Sequence, residues 1–432
     1  MSLLSSPLTL RCGLELPNRL TKAAMAEIMA PKQNPDDKFP RAYSEWADGG
    51  WGFIITGNVQ VSQTYLGSPK DVAIPLPNAG TPALQEAWRN WATTIQRSGT
   101  PALVQLCHPG RQSPQGAGKR SILTKNLAPS AVALNLGSSF IPRVATSVMF
   151  GTPREMTRAE VTEAIQQFIA GAKQAHLAGF KGIELHGAHG YLIAQFLSPK
   201  TNLRTDEFGG TPAKRAEMVL RIIKGIRAAT SPQFCVGIKM NSVDVSEQGD
   251  GGLQACLEQM GLIINAGVDF IEISGGSYED PSMFQADRTA PVIGSTAAPA
   301  APARIPKAST RAREAFFLDF AKTVREYYPK IPLMVTGGFR SRVGMEAALE
   351  SGACDIIGIG RPAAVVPKLP KLVLLNKEVV DADATIRLKH VEMGWLMRKV
   401  PIKSLGAGAE GAYYGGQIGR MGKGLQPIDT RV

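Results

Sequence analysis

Five histidines occur in the chain, His108, His176, His186, His189 and His390. Two of them flank a turn beside a tyrosine, in Gly-Ile-Glu-Leu-His-Gly-Ala-His-Gly-Tyr (182–191). If the first half of this segment is a strand, period-two alternation puts Glu184 and His186 on one face and Ile183 and Leu185 on the other. Gly187 and Gly190 then permit a tight turn that brings His189 and Tyr191 over the strand end. Two imidazoles can donate to one oxygen and hold negative charge developing there. A phenol beside them can deliver a proton. His-x-x-His also offers two metal ligands, but a zinc site needs further ligands, usually a carboxylate or cysteine. No metal is expected. His108, in Gln-Leu-Cys-His-Pro, stands at the end of another predicted strand and brings a third imidazole to the same rim.

A second constellation is made of glycines and an arginine. Val-Thr-Gly-Gly-Phe-Arg (335–340) and Ile-Gly-Ile-Gly-Arg-Pro (357–362) each end a predicted strand. Gly337, Gly338 and Gly360 let backbone N–H groups approach a phosphate closely. Arg361 adds a forked cation, and Pro362 can open a helix whose N-terminus faces the same anion. Ordinary turn glycine is the alternative. Charge inside strands is the third feature. Lys22, Glu184, Lys239 and Glu272 are expected to face a barrel interior, where each needs a partner. They form either a structural ion-pair network, a site where Lys239 stabilises negative charge on a cofactor, or both. A Schiff-base lysine is a further reading.

These residues need a scaffold, and the chain supplies a repeating one. Eight short β-rich runs are predicted, at 19–25, 51–57, 101–107, 181–186, 234–240, 269–274, 331–336 and 354–359. Helical segments alternate with them, near 38–49, 83–98, 157–179, 211–229, 251–266, 309–328 and 341–351, with one more starting at Pro362. Such alternation predicts βαβ units and a parallel sheet. Eight repeats with continuously apolar strands point to an α/β fold, a closed (β/α)8 TIM barrel, over an open doubly wound sheet. Thr211-Pro212 reads as a helix start, and Thr157 with Glu160 as a capping box. The segment 8–20 reads as an N-terminal hairpin able to plug the barrel bottom. Long stretches at 108–156, 187–210 and 275–308 all follow strands, where barrels build active sites. The third contains an Ala/Pro-rich run that reads as a flap. The barrel is expected over residues 1–372. Residues 373–432 read as a C-terminal extension packed on it, with an amphipathic helix near 381–399 and a glycine-rich run, Gly406–Gly424.

Composition bounds the partners. The 432 residues carry 48 Lys and Arg against 36 Asp and Glu, a net charge of +12. That excess invites an anion: nucleic acid, a membrane surface or a phosphorylated cofactor. No apolar run approaches the ~20 residues of a membrane span, and no secretory signal is read at the N-terminus. The five cysteines are scattered and odd in number, which argues against zinc ribbons and iron–sulfur clusters and fits a reducing, cytoplasmic setting.

Taken together, these segments resemble the Old Yellow Enzyme family of FMN-dependent NAD(P)H oxidoreductases. The resemblance rests on Asn-Arg-Leu-Thr-Lys-Ala-Ala-Met-Ala-Glu (18–27), Gln-Leu-Cys-His-Pro-Gly-Arg-Gln (105–112) and Val-Gly-Ile-Lys-Met-Asn-Ser (236–242). It rests equally on His-Gly-Ala-His-Gly-Tyr-Leu-Ile-Ala-Gln-Phe-Leu-Ser-Pro with Asn-Leu-Arg-Thr-Asp-Glu-Phe-Gly-Gly (186–210), and on the two glycine turns. The resemblance implies a (β/α)8 barrel holding FMN at the strand C-terminal ends. It implies that Ala23, Ala24, Met25 and Ala26 line the flavin, that Gly57 and Gln105 touch its pyrimidine side, and that Lys239 sits at N1/O2. Gly337, Gly338, Gly360 and Arg361 would hold the phosphate. His186 and His189 would grip a carbonyl or nitro oxygen, and Tyr191 would be the proton donor. NADPH or NADH would reduce the flavin, which would pass hydride from N5 to the activated alkene of an enone, enal, maleimide or nitroalkene. Small-molecule α,β-unsaturated substrates are expected, with no nucleic acid and no membrane as partner. The tail with Tyr413, Tyr414 and Arg420 either completes a neighbour's site in a homodimer or packs at home. Three departures from the family pattern stand out: Ala26 for a frequent Cys or Thr, Lys239 for a frequent Arg, and Ala24 for a frequent Pro. An FMN barrel acting on tRNA uridine and a non-redox barrel are the competing readings.

Overall fold

Alternation of apolar strands with amphipathic helices closes into a ring. The computed structural model describes residues 2–75, 81–137, 139–242, 249–276, 279, 308–386, 388 and 405–428. Its eight barrel strands are β1 (Leu20–Lys22), β2 (Phe53–Gln60), β3 (Ala102–Cys107), β4 (Gly182–Gly187), β5 (Cys235–Asn241), β6 (Phe270–Ser274), β7 (Leu333–Thr336) and β8 (Ile356–Ile359). Each pairs in parallel with the next, and β8 returns to β1 through Ile357 opposite Leu20. All eight predicted strands and the helices between them are present, so the barrel is a closed one and not an open sheet. Ridges of buried side chains explain the continuous apolar runs, since both strand faces are covered.

Local chemistry starts the helices where it was predicted to. Thr157 accepts from the Glu160 amide while the Glu160 carboxylate accepts from the Thr157 amide, a complete capping box before Arg158–Leu177. Thr211 caps Pro212–Ala229 by accepting from the Lys214 amide, with proline at the first position. Tyr43, Trp46, Trp88 and Trp91 fill the space between the barrel wall and the helices Lys38–Ala47 and Pro82–Gln96.

Inside the ring, the lower layer is apolar. Phe53, Ile55, Leu103, Cys235, Phe270, Met334 and Ile356 form one buried cluster. The predicted hairpin pairs Leu8–Thr9 with Glu15–Leu16, and its Leu10 and Leu16 seal that cluster from below.

Four details differ from expectation. β1 is only three residues long, and the chain after Ala23 leaves the sheet to line the mouth. Lys22 does not face the interior. It shares the outer face with Leu20, its ammonium 4.6 Å from the Trp46 ring centroid and 2.9 Å from the Ile55 carbonyl oxygen. Period two decides this, since Ala23 belongs to the interior cluster. The segment predicted as a helix at 381–399 begins instead with a turn and a bridge from Thr385 to Ser341, and most of it lies outside the described residues. The glycine-rich run is itself a helix, Leu405–Gly422, packed on Lys38–Ala47. Glycine disfavours helix by about 1 kcal/mol per residue, but here it permits close approach. A Cβ on Gly422 would lie 2.9 Å from Met29 Sδ and 3.1 Å from Lys38 Cβ. The Ala/Pro-rich flap lies outside the described residues.

Gly237 marks a site with no room to spare. A Cβ there would lie 2.2 Å from the Phe270 ring. Gly237→Ala should therefore overpack the barrel floor and destabilise the fold by ~1–3 kcal/mol. A thermal melt with an unchanged midpoint would show that Phe270 can move aside freely.

Candidate active site

Strand register assembles the site's base. Across the sheet Gln105 stands opposite Glu184, and Lys239 stands opposite both His186 and Glu272. Lys239 Nζ is 3.0 Å from Glu272 Oε1, and both groups are buried. Gln105 Nε2 donates to Glu184 Oε2 at 2.6 Å. Burial raises the Glu184 pKa well above the usual carboxyl range, and the Glu272 charge raises it further. Burial therefore favours the neutral form of Glu184 beside Glu272. Burial opposes the Lys239 charge, but the neighbouring acids, Glu272 foremost, outweigh it and raise the Lys239 pKa.

Above this layer the three predicted catalytic rings meet. His186 and His189 have centroids 5.0 Å apart, and His186 and Tyr191 4.6 Å apart, all nearly edge to face. The turn that achieves this is backbone-driven. His189 adopts φ 57° and Gly190 φ 73°, two successive left-handed residues. A non-glycine residue in that region costs free energy and needs support. Asn241 Oδ1 accepts from the His189 amide at 3.0 Å, and Gln112 Nε2 donates to its carbonyl at 2.9 Å. Ser274 Oγ lies 3.1 Å from His189 Nε2. Gln195 binds the carbonyls of Pro109 and Gly190, locking the β3 and β4 loops together. These supporting residues carried no assigned role in the sequence, although Asn241 and Gln112 lie in quoted motifs.

Burial favours the neutral form of both histidines. Burial pushes the His186 pKa well below its ordinary value, aided by His189 and Lys239, and burial with Lys239 does the same to His189. The Ala188 amide points at His186 Nδ1, 3.4 Å away, which leaves the proton on Nε2 as a donor. His108 does not join the pair. Its Nδ1 accepts from the Gly110 amide at 3.0 Å, and its ring lies 5.6 Å from that of Tyr65.

The remaining predicted residues surround the mouth. Ala23 is buried, and Ala24, Met25 and Ala26 are half-buried on the segment leaving β1. Gly57 donates its amide to Glu27 Oε1 at 2.8 Å, and a Cβ there would lie 2.1 Å from Glu27 Oε2. Its lack of a side chain therefore seats Glu27, a buried carboxylate that sequence reading passed over. Gly337 and Gly338 have φ 142° and 79°, and Gly360 caps the short helix Arg361–Val365. Arg361 is already paired, with the buried Glu410 of the C-terminal helix.

The closed parallel barrel thus gathers two imidazoles and a phenol at its strand ends, near a buried lysine. The model of the NADH:flavin oxidoreductase / NADH oxidase family matches residues 4–378. The chain belongs to this family, that of the Old Yellow Enzymes, and is a flavin oxidoreductase. It is 46% identical over 406 residues to the NADH-dependent flavin oxidoreductase iliE of Hypocrea jecorina, covering 93% of this chain and 96% of the relative. It is 44% identical to the protein of the same name from Neonectria sp., covering 94% of this chain but only about half, 52%, of that longer relative. Among solved structures, morphinone reductase superposes with TM-score 0.65 at 22% identity, covering 86% of this chain and 88% of the other, which supports the fold. No described helix is long and apolar enough to cross a membrane.

Buried neutral histidines make stability acid-sensitive. Burial, with a smaller push from Arg120, lowers His108 to about 3, whereas an unfolded histidine protonates near ~6.5. Between those values the unfolded chain binds the extra proton, so this contribution is complete above pH ~6.5 and is lost as pH falls toward 3. Each such histidine adds a slope of ~1.4 kcal/mol per pH unit. His108→Gln should remove one proton from the acid dependence of the melting temperature. An unchanged slope would mean that His108 titrates normally in the fold.

Proposed function

We propose that this enzyme binds FMN at the strand C-terminal ends, takes its electrons from NADH, and reduces alkenes conjugated to a carbonyl or nitro group. The observation that carries the reading is the ring cluster of His186, His189 and Tyr191 above Lys239. The residues present suit the cofactor. A flavin's pyrimidine edge alternates donors and acceptors, and here Gln105 Oε1 is buried without a hydrogen-bond partner in the protein. The small side chains Ala23, Ala24 and Ala26 with Met25 leave a shallow wall beside it. Gly337, Gly338, Gly360 and Arg361 would hold the phosphate, with Glu410 sharing the guanidinium. When bound, FMN supplies two-electron hydride chemistry between NADH and the substrate.

The chain's own groups do the rest. His186 and His189 hold the substrate's carbonyl or nitro oxygen through N–H donors, stabilising the negative charge that builds there. Neutral imidazoles serve because the Lys239 charge lies nearby and disfavours a second cation. Tyr191, buried beside His186, delivers the proton to the α-carbon of the alkene. Lys239 stabilises negative charge on the cofactor, and Glu272 keeps that lysine charged. NADH is the preferred donor because the iliE relatives are named for it.

Tyr191→Phe separates the two halves of this reaction. It should leave bleaching of the bound flavin by NADH unchanged and slow reoxidation by cyclohexenone by ~10²–10⁴-fold, the usual worth of a placed general acid. Equal loss in both halves would remove Tyr191 as donor. His186→Ala should weaken binding of a phenolate, read from its long-wavelength absorption with the oxidised flavin. Unchanged affinity would refute the oxyanion role of the pair.

A further inference from the structure

At the opposite end of the barrel lie two thiols that the redox site does not use. Cys12 sits in the turn of the N-terminal hairpin, and Cys235 is the first residue of β5. Their sulfurs lie within 4.8 Å of each other. The contact is held in place: Arg11 Nη1 donates to the Val268 carbonyl at 3.1 Å, and Leu10 and Leu16 are buried in the floor cluster. The two thiols differ in access, for Cys12 is partly open to solvent and Cys235 is fully buried. A hydrogen bond from Cys235 lowers the Cys12 pKa despite burial and the charge of Asp269. Burial raises that of Cys235 well above the ordinary thiol value, and its bond to Cys12 adds to the rise. An accessible, more acidic thiol touching a buried one is the arrangement of an attacking and a resolving cysteine.

Asp269 completes a triplet of metal-type ligand atoms, but its carboxylate is committed elsewhere. Oδ2 accepts from the Val236 amide at 2.7 Å and from the Arg227 guanidinium. These bonds fix the carboxylate, and three ligand atoms fall short of a closed four-coordinate zinc site, so sulfur chemistry is the better use of the pair.

We propose that Cys12 and Cys235 form a peroxide-reactive thiol pair that closes to an intramolecular disulfide, stapling the hairpin to the barrel floor. The oxidant is a hydroperoxide. The Cys12 thiolate attacks one peroxide oxygen, the O–O bond breaks, hydroxide leaves, and Cys12 becomes a sulfenic acid. The Cys235 sulfur then attacks Cys12 Sγ, the S–O bond breaks, and the hydroxyl leaves as water with the Cys235 proton. Two thiols lose two electrons and hydrogen peroxide is reduced to two waters. A thiol reductant reverses the step by exchange. The inference stands independently of the proposed alkene reduction, since it uses no residue of that site.

Hydrogen peroxide titration of the full-length protein, followed by intact mass and peptide mapping, tests it. The expected product is lighter by two hydrogens, and its tryptic map joins the peptide 12–19 to the peptide 228–239. It should melt at a higher temperature, because the cross-link restricts the unfolded chain, and dithiothreitol should reverse both changes. In Cys235→Ser, oxidation should stop at a sulfenic acid on Cys12 that dimedone traps. Cys12→Ser should leave Cys235 unmodified. The proposal is overturned if all five cysteines remain alkylatable after peroxide, if the bridge joins other cysteines, or if the protein carries stoichiometric zinc that shields both thiols.

Discussion

A lysine ammonium cannot be left alone inside a closed barrel, and the site is organised around that constraint. Lys239 is buried, so it must have a countercharge, and Glu272 on the neighbouring strand supplies it. A second ionised carboxylate would overturn the balance. Burial and the Glu272 charge therefore raise the Glu184 pKa and favour its neutral form, while Gln105 Nε2 donates to it. The result is one buried positive charge with one negative partner, placed beneath the strand ends. Burial lowers the pKa of His186 and His189, and the Lys239 charge adds to the shift, so both favour the neutral form. Parallel register makes this coupling automatic, because β5 carries Lys239 level with His186 on one side and Glu272 on the other.

Rigidity is concentrated where the rings must be aimed. His189 occupies a left-handed backbone conformation that its own side chain disfavours. Asn241 from β5 and Gln112 from the loop after β3 hold both ends of its peptide. Gln195 ties the same two loops from beneath. The imidazole pair is thus positioned by three different strand ends, a common way for a barrel to build precision from loops. The lower layer is different in kind. There Phe53, Leu103, Phe270 and Met334 pack without polar groups, and the hairpin closes the floor. The same hairpin brings Cys12 against Cys235, so one plug serves both packing and thiol chemistry.

Much of this was legible before the fold was known. Strands buried on both faces read as continuous apolar runs, so all eight stood out, and Thr-Pro and Thr-x-x-Glu marked helix starts through local bonds alone. The histidine pair and Tyr191 were legible because short-range spacing and glycine positions describe a turn. Long-range partners were not. Nothing local announces that Glu410, 49 residues beyond Arg361, pairs with it, or that Glu27 needs Gly57 to be bare. Lys22 faces outward because strand alternation gives the interior to Ala23, a register the sequence does not mark, and a helix rich in glycine escapes recognition because its stability comes from close packing on Lys38–Ala47.

Charge shows the same division. The net +12 raised the question of a polyanion, while the structure commits several cations to partners within the fold: Arg204 to Asp206, Arg227 to Asp269, Arg325 to Asp355 and Arg361 to Glu410. Periodicity, turn chemistry and motif spacing are properties of neighbouring residues, so the sequence by itself determined the barrel, its order of elements and the grouping of His186, His189 and Tyr191 at one turn. Protonation states, the orientation of His189 and the engagement of Arg361 depend on groups far apart in the chain. Only the tertiary structure decided them, because burial and charge–charge distance exist only once the strands have closed.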